Sequence, residues 1–210
     1  MPESVMLRWA KHVPQAYDNI AEAWQKERAD AAQKGFRERR FLDQLTAPLP
    51  SGVSVLDVGC GGGMPIMEYL VGRGLRVTGL DASTRMLDLA RIAVPQATLI
   101  HGDMRTANPI GSFDALVAWD SVFHLPRRDH MAVFERFRSW LKPGGRLLIS
   151  LGGSAAEDFT SEMFGETFYY SGHEPAEALQ LLKESRFDVE HWEVDDPSSR
   201  GHIAVLAVRS

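Results

Sequence analysis

Residues 53–63 read Val53-Ser54-Val55-Leu56-Asp57-Val58-Gly59-Cys60-Gly61-Gly62-Gly63. A short apolar run closed by glycines is the pattern of a strand buried on both faces. Gly59 and Gly61 let the backbone turn sharply and approach a ligand closely. The three consecutive glycines at 61–63 exceed what a strand–helix turn needs. The loop is not a dinucleotide fingerprint. Read as G-x-G-x-x-G from Gly59, the sixth position is Met64, and read from Gly61 it is Ile66. No Gly-Lys-Ser/Thr follows, so a Walker phosphate loop is excluded as well. Asp57, just ahead of the loop, would repel a pyrophosphate. It suits a cation or a ligand bearing an ammonium group.

Outward from this loop the strand pattern repeats at 75–81, 97–103, 113–120 and 145–151. Asp57, Asp81, Asp103 and Asp120 lie at or near the ends of the first four apolar runs. Helical segments lie between them: TRMLDLARIA follows Ser83, and RRDHMAVFERFRSWL follows Pro126. Such alternation predicts an α/β fold with a doubly wound parallel sheet. Ligands bind such sheets beyond the carboxyl ends of the strands, where the four aspartates fall. Asp81 lies 24 positions after Asp57. It suits a bidentate grip on ribose hydroxyls, or alternatively an N-cap for the helix that starts near Ser83. Asp103 can accept from an exocyclic amine such as that of adenine, or serve as a turn residue. Together the three describe a site for an adenosine without phosphates that carries a cationic group.

The flanks differ from this core. Residues 1–50 read as helical, with Tyr17, Ile20, Ala21 and Trp24 on one face. Phe36, Phe41, Leu42 and Leu45 suggest a second helix. Residues 174–185 read as a helix with Pro175 in its first turn. The runs 187–194 and 203–208 read as strands whose short connection requires antiparallel pairing. Residues 159–173 are aromatic and non-periodic, which suggests a loop or short helix over the ligand site. The expected organisation is therefore one domain. It has a helical N-terminal segment (1–50), a cofactor-binding core (51–151), an acceptor-site insert (152–173) and a C-terminal helix and strand pair (174–210).

Composition narrows the classes further. The chain has 210 residues, 44% of them hydrophobic, which argues against disorder. No apolar run approaches the roughly 18 residues of a membrane span, and the N-terminus lacks a secretory h-region. Cys60 is the sole cysteine, so neither an internal disulfide nor a cysteine-rich zinc site is expected. A net charge of -5 argues against a nucleic-acid binder. The expected setting is cytoplasmic, with no membrane partner, as a monomer or homodimer.

The series VLDVGCGGG, GLDAS, GDM, FDALVAWDSVFHL and LKPGGRLLIS resembles the motif series of class I S-adenosylmethionine-dependent methyltransferases. The resemblance covers about residues 15–151. It implies a Rossmann-like seven-stranded sheet of order 3-2-1-4-5-7-6 with strand 7 antiparallel. It implies S-adenosyl-L-methionine as cofactor and S-adenosyl-L-homocysteine as product. In that family Asp57 and the backbone of Gly59, Cys60 and Gly61 would hold the methionine moiety. Asp81 would bind the ribose, Ala82 and Met86 would flank the adenosine, and Asp103 with the Met104 backbone would read the adenine. Trp119 would lie beside the sulfonium, and Tyr17 would sit on an N-terminal lid helix.

The expected reaction moves a methyl group to an O or N atom of a small organic acceptor. A general base matters most for an oxygen acceptor. His124 is the candidate base, because histidine titrates near neutral pH; the alternative is a hydrogen bond to loop backbone. Asp120 is expected to orient the acceptor or to cap the next turn. Trp24, Phe123, Phe164, Phe168, Tyr169, Tyr170 and His173 are candidates for the acceptor-pocket wall, or for aromatics that close a core. The stretch Asp120-Ser121-Val122-Phe123 lacks the N/D-P-P-Y motif of enzymes acting on planar amino groups of DNA or glutamine. Two other classes stay open: a non-catalytic cofactor-binding subunit or sensor, and a protein or RNA methyltransferase.

Overall fold

The computed structural model describes residues 5–109, 111–152, 158–196 and 202–210. In chain order the first elements are α1 (Val5–Lys34), α2 (Arg39–Thr46), β1 (Ser54–Val58), α3 (Ile66–Gly72), β2 (Arg76–Asp81), α4 (Thr84–Ala93), β3 (Thr98–His101) and β4 (Phe113–Ala118). A single 3-10 turn (Val122–His124) leads to α5 (Arg127–Trp140) and β5 (Leu141–Leu151). Then come β6 (Phe159–Met163), β7 (Glu166–Tyr170), α6 (Pro175–Glu184), β8 (Phe187–Asp196) and β9 (His202–Arg209).

Seven strands form one sheet of order β3-β2-β1-β4-β5-β9-β8. The first five run parallel, and β9 pairs antiparallel with both β5 and β8. This is the expected order, with β8 and β9 as the sixth and seventh strands. Alternation along the strands explains the double winding. Leu56, Val58, Leu116 and Ala118 face the layer formed by α5 and α6, where Phe134, Phe137, Ala178 and Leu182 meet them. Val55, Ala115 and Val117 face the other way, against Phe41, Leu42 and Leu45 of α2, Met67 and Leu70 of α3, and Leu87 of α4.

The insert departs from its expectation. Over residues 159–170 it is neither loop nor helix but an antiparallel hairpin, β6–β7, with Phe164 and Gly165 at its turn. Glycine in a left-handed turn and β-prone aromatics on the return strand favour a hairpin. The period-two signal is absent because the two buried residues of β7, Phe168 and Tyr169, are consecutive, and no residue of β6 is fully buried. The hairpin packs on α1 rather than on the main sheet. Phe168 and Tyr169 cluster with Ala10, Val13, Ala16 and Ile20 of α1. Burying an aromatic of that size stabilises by about 1.5–3 kcal/mol, so α1 and the hairpin support each other. Residues 153–157, at the start of the insert, and 197–201, between the last two strands, lie outside the described residues. Among the described residues no helix is long and apolar enough to cross a membrane.

Candidate active site

A cavity of about 1020 Å³, counted with its open mouth, lies at the carboxyl ends of β1 to β4 and is lined on one side by α1. Small-molecule pockets commonly enclose roughly 300–1,000 Å³. The glycine loop forms part of its lining. The amide groups of Gly59 and Cys60 donate to the Leu80 carbonyl at 2.7 and 3.2 Å, tying the loop to the end of β2. Gly59 has φ +75°, and a Cβ there would lie 2.4 Å from Ser121 Cβ. Only glycine satisfies both conditions.

Three carboxylates border this side. Asp57 is buried at the end of β1. Burial first, and the neighbouring Asp81 charge second, push its pKa to about 8, against the pull of Arg28. Asp81 accepts from the amides of Gly61 and Ser83, both at 2.8 Å. It is not the cap of α4: Ser83 Oγ fills that role by accepting from the Met86 amide at 3.0 Å. Ala82, Met86 and Met104 complete the lining here. Asp103 is gripped by Arg105, with contacts of 2.6, 3.0 and 3.0 Å, and Arg105 also reaches Asp129 at 3.3 Å. Burial alone would raise the Asp103 pKa, but the Arg105 guanidinium brings it below the usual range. Cys60 lines the cavity too; burial pushes its thiol up, so it is no nucleophile.

Helix α1 places Tyr17, Trp24 and Arg28 on the cavity. It is fastened to the core by polar contacts. Asp18 accepts from Ser83 Oγ at 2.5 Å and from the Arg85 amide at 3.0 Å. Glu22 pairs with Arg85, and Arg28 pairs with Glu38. Gln25 donates to the Gly62 carbonyl at 3.1 Å.

Trp119, Asp120 and His124 line the remaining side. His124 is buried between two partners: Nδ1 lies 2.8 Å from the Tyr169 carbonyl and Nε2 lies 2.9 Å from the Tyr17 hydroxyl. A carbonyl only accepts, so Nδ1 carries the hydrogen and Nε2 accepts from Tyr17. Burial lowers the His124 pKa to about 4, despite the Tyr169 bond. The ring is neutral and its lone pair is covered. Asp120 sits in a left-handed backbone conformation, φ +50°, with its amide donating to Ser150 Oγ at 2.7 Å.

The wall residues divide. Trp24 lines the cavity. Phe123 and Tyr170 stand behind His124, with ring centroids 4.9 and 4.8 Å from it, but do not line the cavity. Phe168 and Tyr169 are buried against α1, and Tyr169 serves through its carbonyl. Phe164 is exposed at the hairpin turn. His173 lies apart, 3.1 Å from Glu177 and beside His130.

Several residues at this site were not anticipated. Arg28 and Arg105 line the cavity, and Ser121 packs under Gly59. His202 bonds Asp120 at 3.0 Å and Asp195 at 2.6 Å. One signal could have found His202. An antiparallel last strand begins where its parallel neighbour ends, so its first residue arrives at the ligand edge of the sheet.

A family model described as a methyltransferase domain matches residues 55–145. A ubiquinone biosynthesis O-methyltransferase from Xanthomonas axonopodis pv. citri is 35% identical over 117 residues, covering 52% of this chain and 47% of that protein. The chain thus spans about half the length of that relative. A Xanthomonas oryzae pv. oryzae protein of the same name is 29% identical over 168 residues, covering 71% of this chain and 69% of its own length. Among solved structures, a 1,6-didemethyltoxoflavin-N1-methyltransferase from Burkholderia thailandensis has a TM-score of 0.74 at 19% identity, covering 100% of this chain and 92% of its own. A S-adenosylmethionine-dependent methyltransferase from Methanosarcina mazei gives 0.70 at 21% identity, covering 79% and 96%. At these identities the structural likenesses speak to the fold.

Proposed function

We infer that the chain, which carries a methyltransferase domain over residues 55–145, transfers a methyl group from S-adenosylmethionine to an O or N atom of a small organic acceptor. One observation carries the reading: the glycine loop and the carboxylates of Asp57, Asp81, Asp103 and Asp120 share one cavity beneath an aromatic helix.

The residues fit the cofactor. Asp57, raised to about 8 by burial and then by the Asp81 charge, gains from an ammonium group. Arg28 offers a guanidinium for the amino acid carboxylate. Asp81 suits the ribose hydroxyls, Ala82 and Met86 the adenosine, and Asp103 with Met104 the adenine. When bound, the cofactor supplies an electrophilic methyl on a sulfonium. The protein contributes proximity, orientation and exclusion of water. In this reading α1 is the lid: Tyr17 and Trp24 close the cavity, and His124 serves chiefly to anchor Tyr17. The names of the relatives favour a small acceptor over a macromolecule.

Calorimetry with S-adenosylhomocysteine and NAD tests the cofactor. Micromolar binding of the first alone is expected; the reverse would sink the reading. Incubation of a small-molecule extract with labelled cofactor, read by mass spectrometry, then finds the acceptor. Label appearing only on protein or RNA would overturn the acceptor class.

A further inference from the structure

His202, the first residue of β9, lies between two carboxylates. Its Nδ1 is 2.6 Å from Asp195 Oδ1 and its Nε2 is 3.0 Å from Asp120 Oδ1. Ionised carboxylates only accept, so both ring nitrogens carry hydrogens and the ring is an imidazolium. Burial would lower its pKa, but the two hydrogen-bonded carboxylates raise it to about 9. Asp195 is fully buried and is steadied from outside by Arg37, whose Nε lies 3.9 Å away. The other groups facing Asp120 are Arg28 across the cavity, the Arg37 charge, the His124 ring, the Ser150 hydroxyl at 3.4 Å, and the phenols of Tyr17 and Tyr170, which burial keeps neutral. Asp120 itself keeps 27% of its side chain exposed, and it lines the cavity. Although burial alone would raise the Asp120 pKa, the His202 bond and charge hold it below the usual carboxylate range. It is an anion fixed in place, at a backbone angle that side chains rarely adopt.

The neighbouring base candidate is engaged elsewhere. The one lone pair of the His124 ring accepts from the Tyr17 hydroxyl. Deprotonating a hydroxyl acceptor needs a free base with a pKa near the working pH. Beside His124 the cavity offers instead the fixed negative charge of Asp120.

We propose, building on the methyl-transfer reading above, that Asp120 is an electrostatic partner for a nitrogen acceptor, aimed by His202 and Asp195 as positioning residues. The acceptor is then a weakly basic N–H compound, neutral in water, such as an N-heteroaromatic or an arylamine. Its nitrogen lone pair forms the new N–C bond while the C–S electron pair stays on sulfur. The nitrogen becomes a cation that keeps its hydrogen, directed at Asp120, and gives it to water afterwards. The charge that develops on nitrogen faces a preformed anion, which is the arrangement that lowers such a barrier.

Sinefungin tests this without knowledge of the acceptor, because it carries an amine where the cofactor carries its transferable methyl. The ratio of sinefungin to S-adenosylhomocysteine affinity should fall at least about tenfold in Asp120→Asn, with S-adenosylhomocysteine binding unchanged. In His202→Gln the preference for sinefungin should fade as pH falls toward 5, since Asp120 without its cation protonates more easily. Wild type should stay flat over that range. Asp195→Asn, a gentler change, should move the profile the same way. An unchanged ratio in Asp120→Asn would overturn the anion, and a wild-type pH profile in both His202→Gln and Asp195→Asn would overturn the positioning. Failure of wild type to bind S-adenosylhomocysteine at all would instead remove the methyl-transfer reading. Methyl-13C cofactor incubated with the small-molecule extract adds a second arm. An N-methyl carbon shift in the product supports the proposal and an O-methyl shift overturns it. With no product, the binding comparison decides.

Discussion

The two halves of the cavity are built differently. On the cofactor side, each group sits at or just beyond the end of its own strand. Asp57, Asp81 and Asp103 need only β1, β2 and β3 to be parallel neighbours. On the acceptor side, the polar groups are assembled across long stretches of chain. Tyr17 meets His124 across 107 positions, His124 meets Tyr169 across 45, and Asp120 meets His202 across 82. A site made from strand ends follows from the sheet. A site made from α1, a hairpin and the last strand depends on how those pieces dock.

The largest expected effect falls on the acceptor side. With an identified acceptor, Asp120→Asn should lower turnover by about 10²–10³-fold, the usual loss when one preorganised electrostatic partner is removed. His124→Ala should lower it far less, because that ring is neutral and already bonded on both nitrogens. Equal losses in steady-state rates of the two variants would return the proton-accepting role to the Tyr17–His124 pair and erase the contrast drawn here.

On the cofactor side the expected effect is a pH dependence. In the ligand-free protein Asp57 is protonated below about pH 8. An ammonium partner in the bound state favours the ionised form, so binding releases a proton. Affinity for S-adenosylhomocysteine should therefore rise with pH, by up to about tenfold per unit below 8 and little above it. Calorimetry in buffers of different ionisation enthalpy measures the proton directly. Release of none at pH 6.5 would show that Asp57 is already ionised.

Asp81→Ala removes an acceptor for two ribose hydroxyls, each bond to a charged group being worth about 1.5–3 kcal/mol. At least about a tenfold affinity loss is expected, with the fold checked by circular dichroism. Unchanged affinity in a folded variant would restrict Asp81 to tying Gly61 to Ser83. The smallest effect concerns α1. Hydrogen exchange over residues 12–30 should slow modestly when S-adenosylhomocysteine is added, because Asp18, Gln25 and Arg28 already hold the helix on the core. Equal exchange with and without the ligand would show a fixed wall rather than a lid.

Much of this was legible beforehand for a plain reason. Buried parallel strands write themselves as apolar runs, and glycines and aspartates mark their ends. The parallel core strands, the loop at Gly59 to Gly63 and the placing of Asp57, Asp81, Asp103 and Asp120 on one cavity follow from that grammar, whereas the strand order came only from the resemblance to the methyltransferase motif series. The hairpin at 159–170 did not show, because a two-stranded sheet packed on a helix imposes burial on few of its residues. The aromatic wall was only half legible, since an aromatic at the cavity and one behind it have the same local pattern.

By itself the sequence determined the doubly wound sheet, the ligand edge and the carboxylates along it, because these depend on periodicity and on strand ends. Only the tertiary structure decided the protonation states and partners of the acceptor side. It turned His124 into a capped neutral ring, moved Phe164 and His173 away, and brought Asp195 and His202 under Asp120. The reason is physical. A side chain's pKa and partners depend on burial and on what approaches through space, and neither is local in the chain.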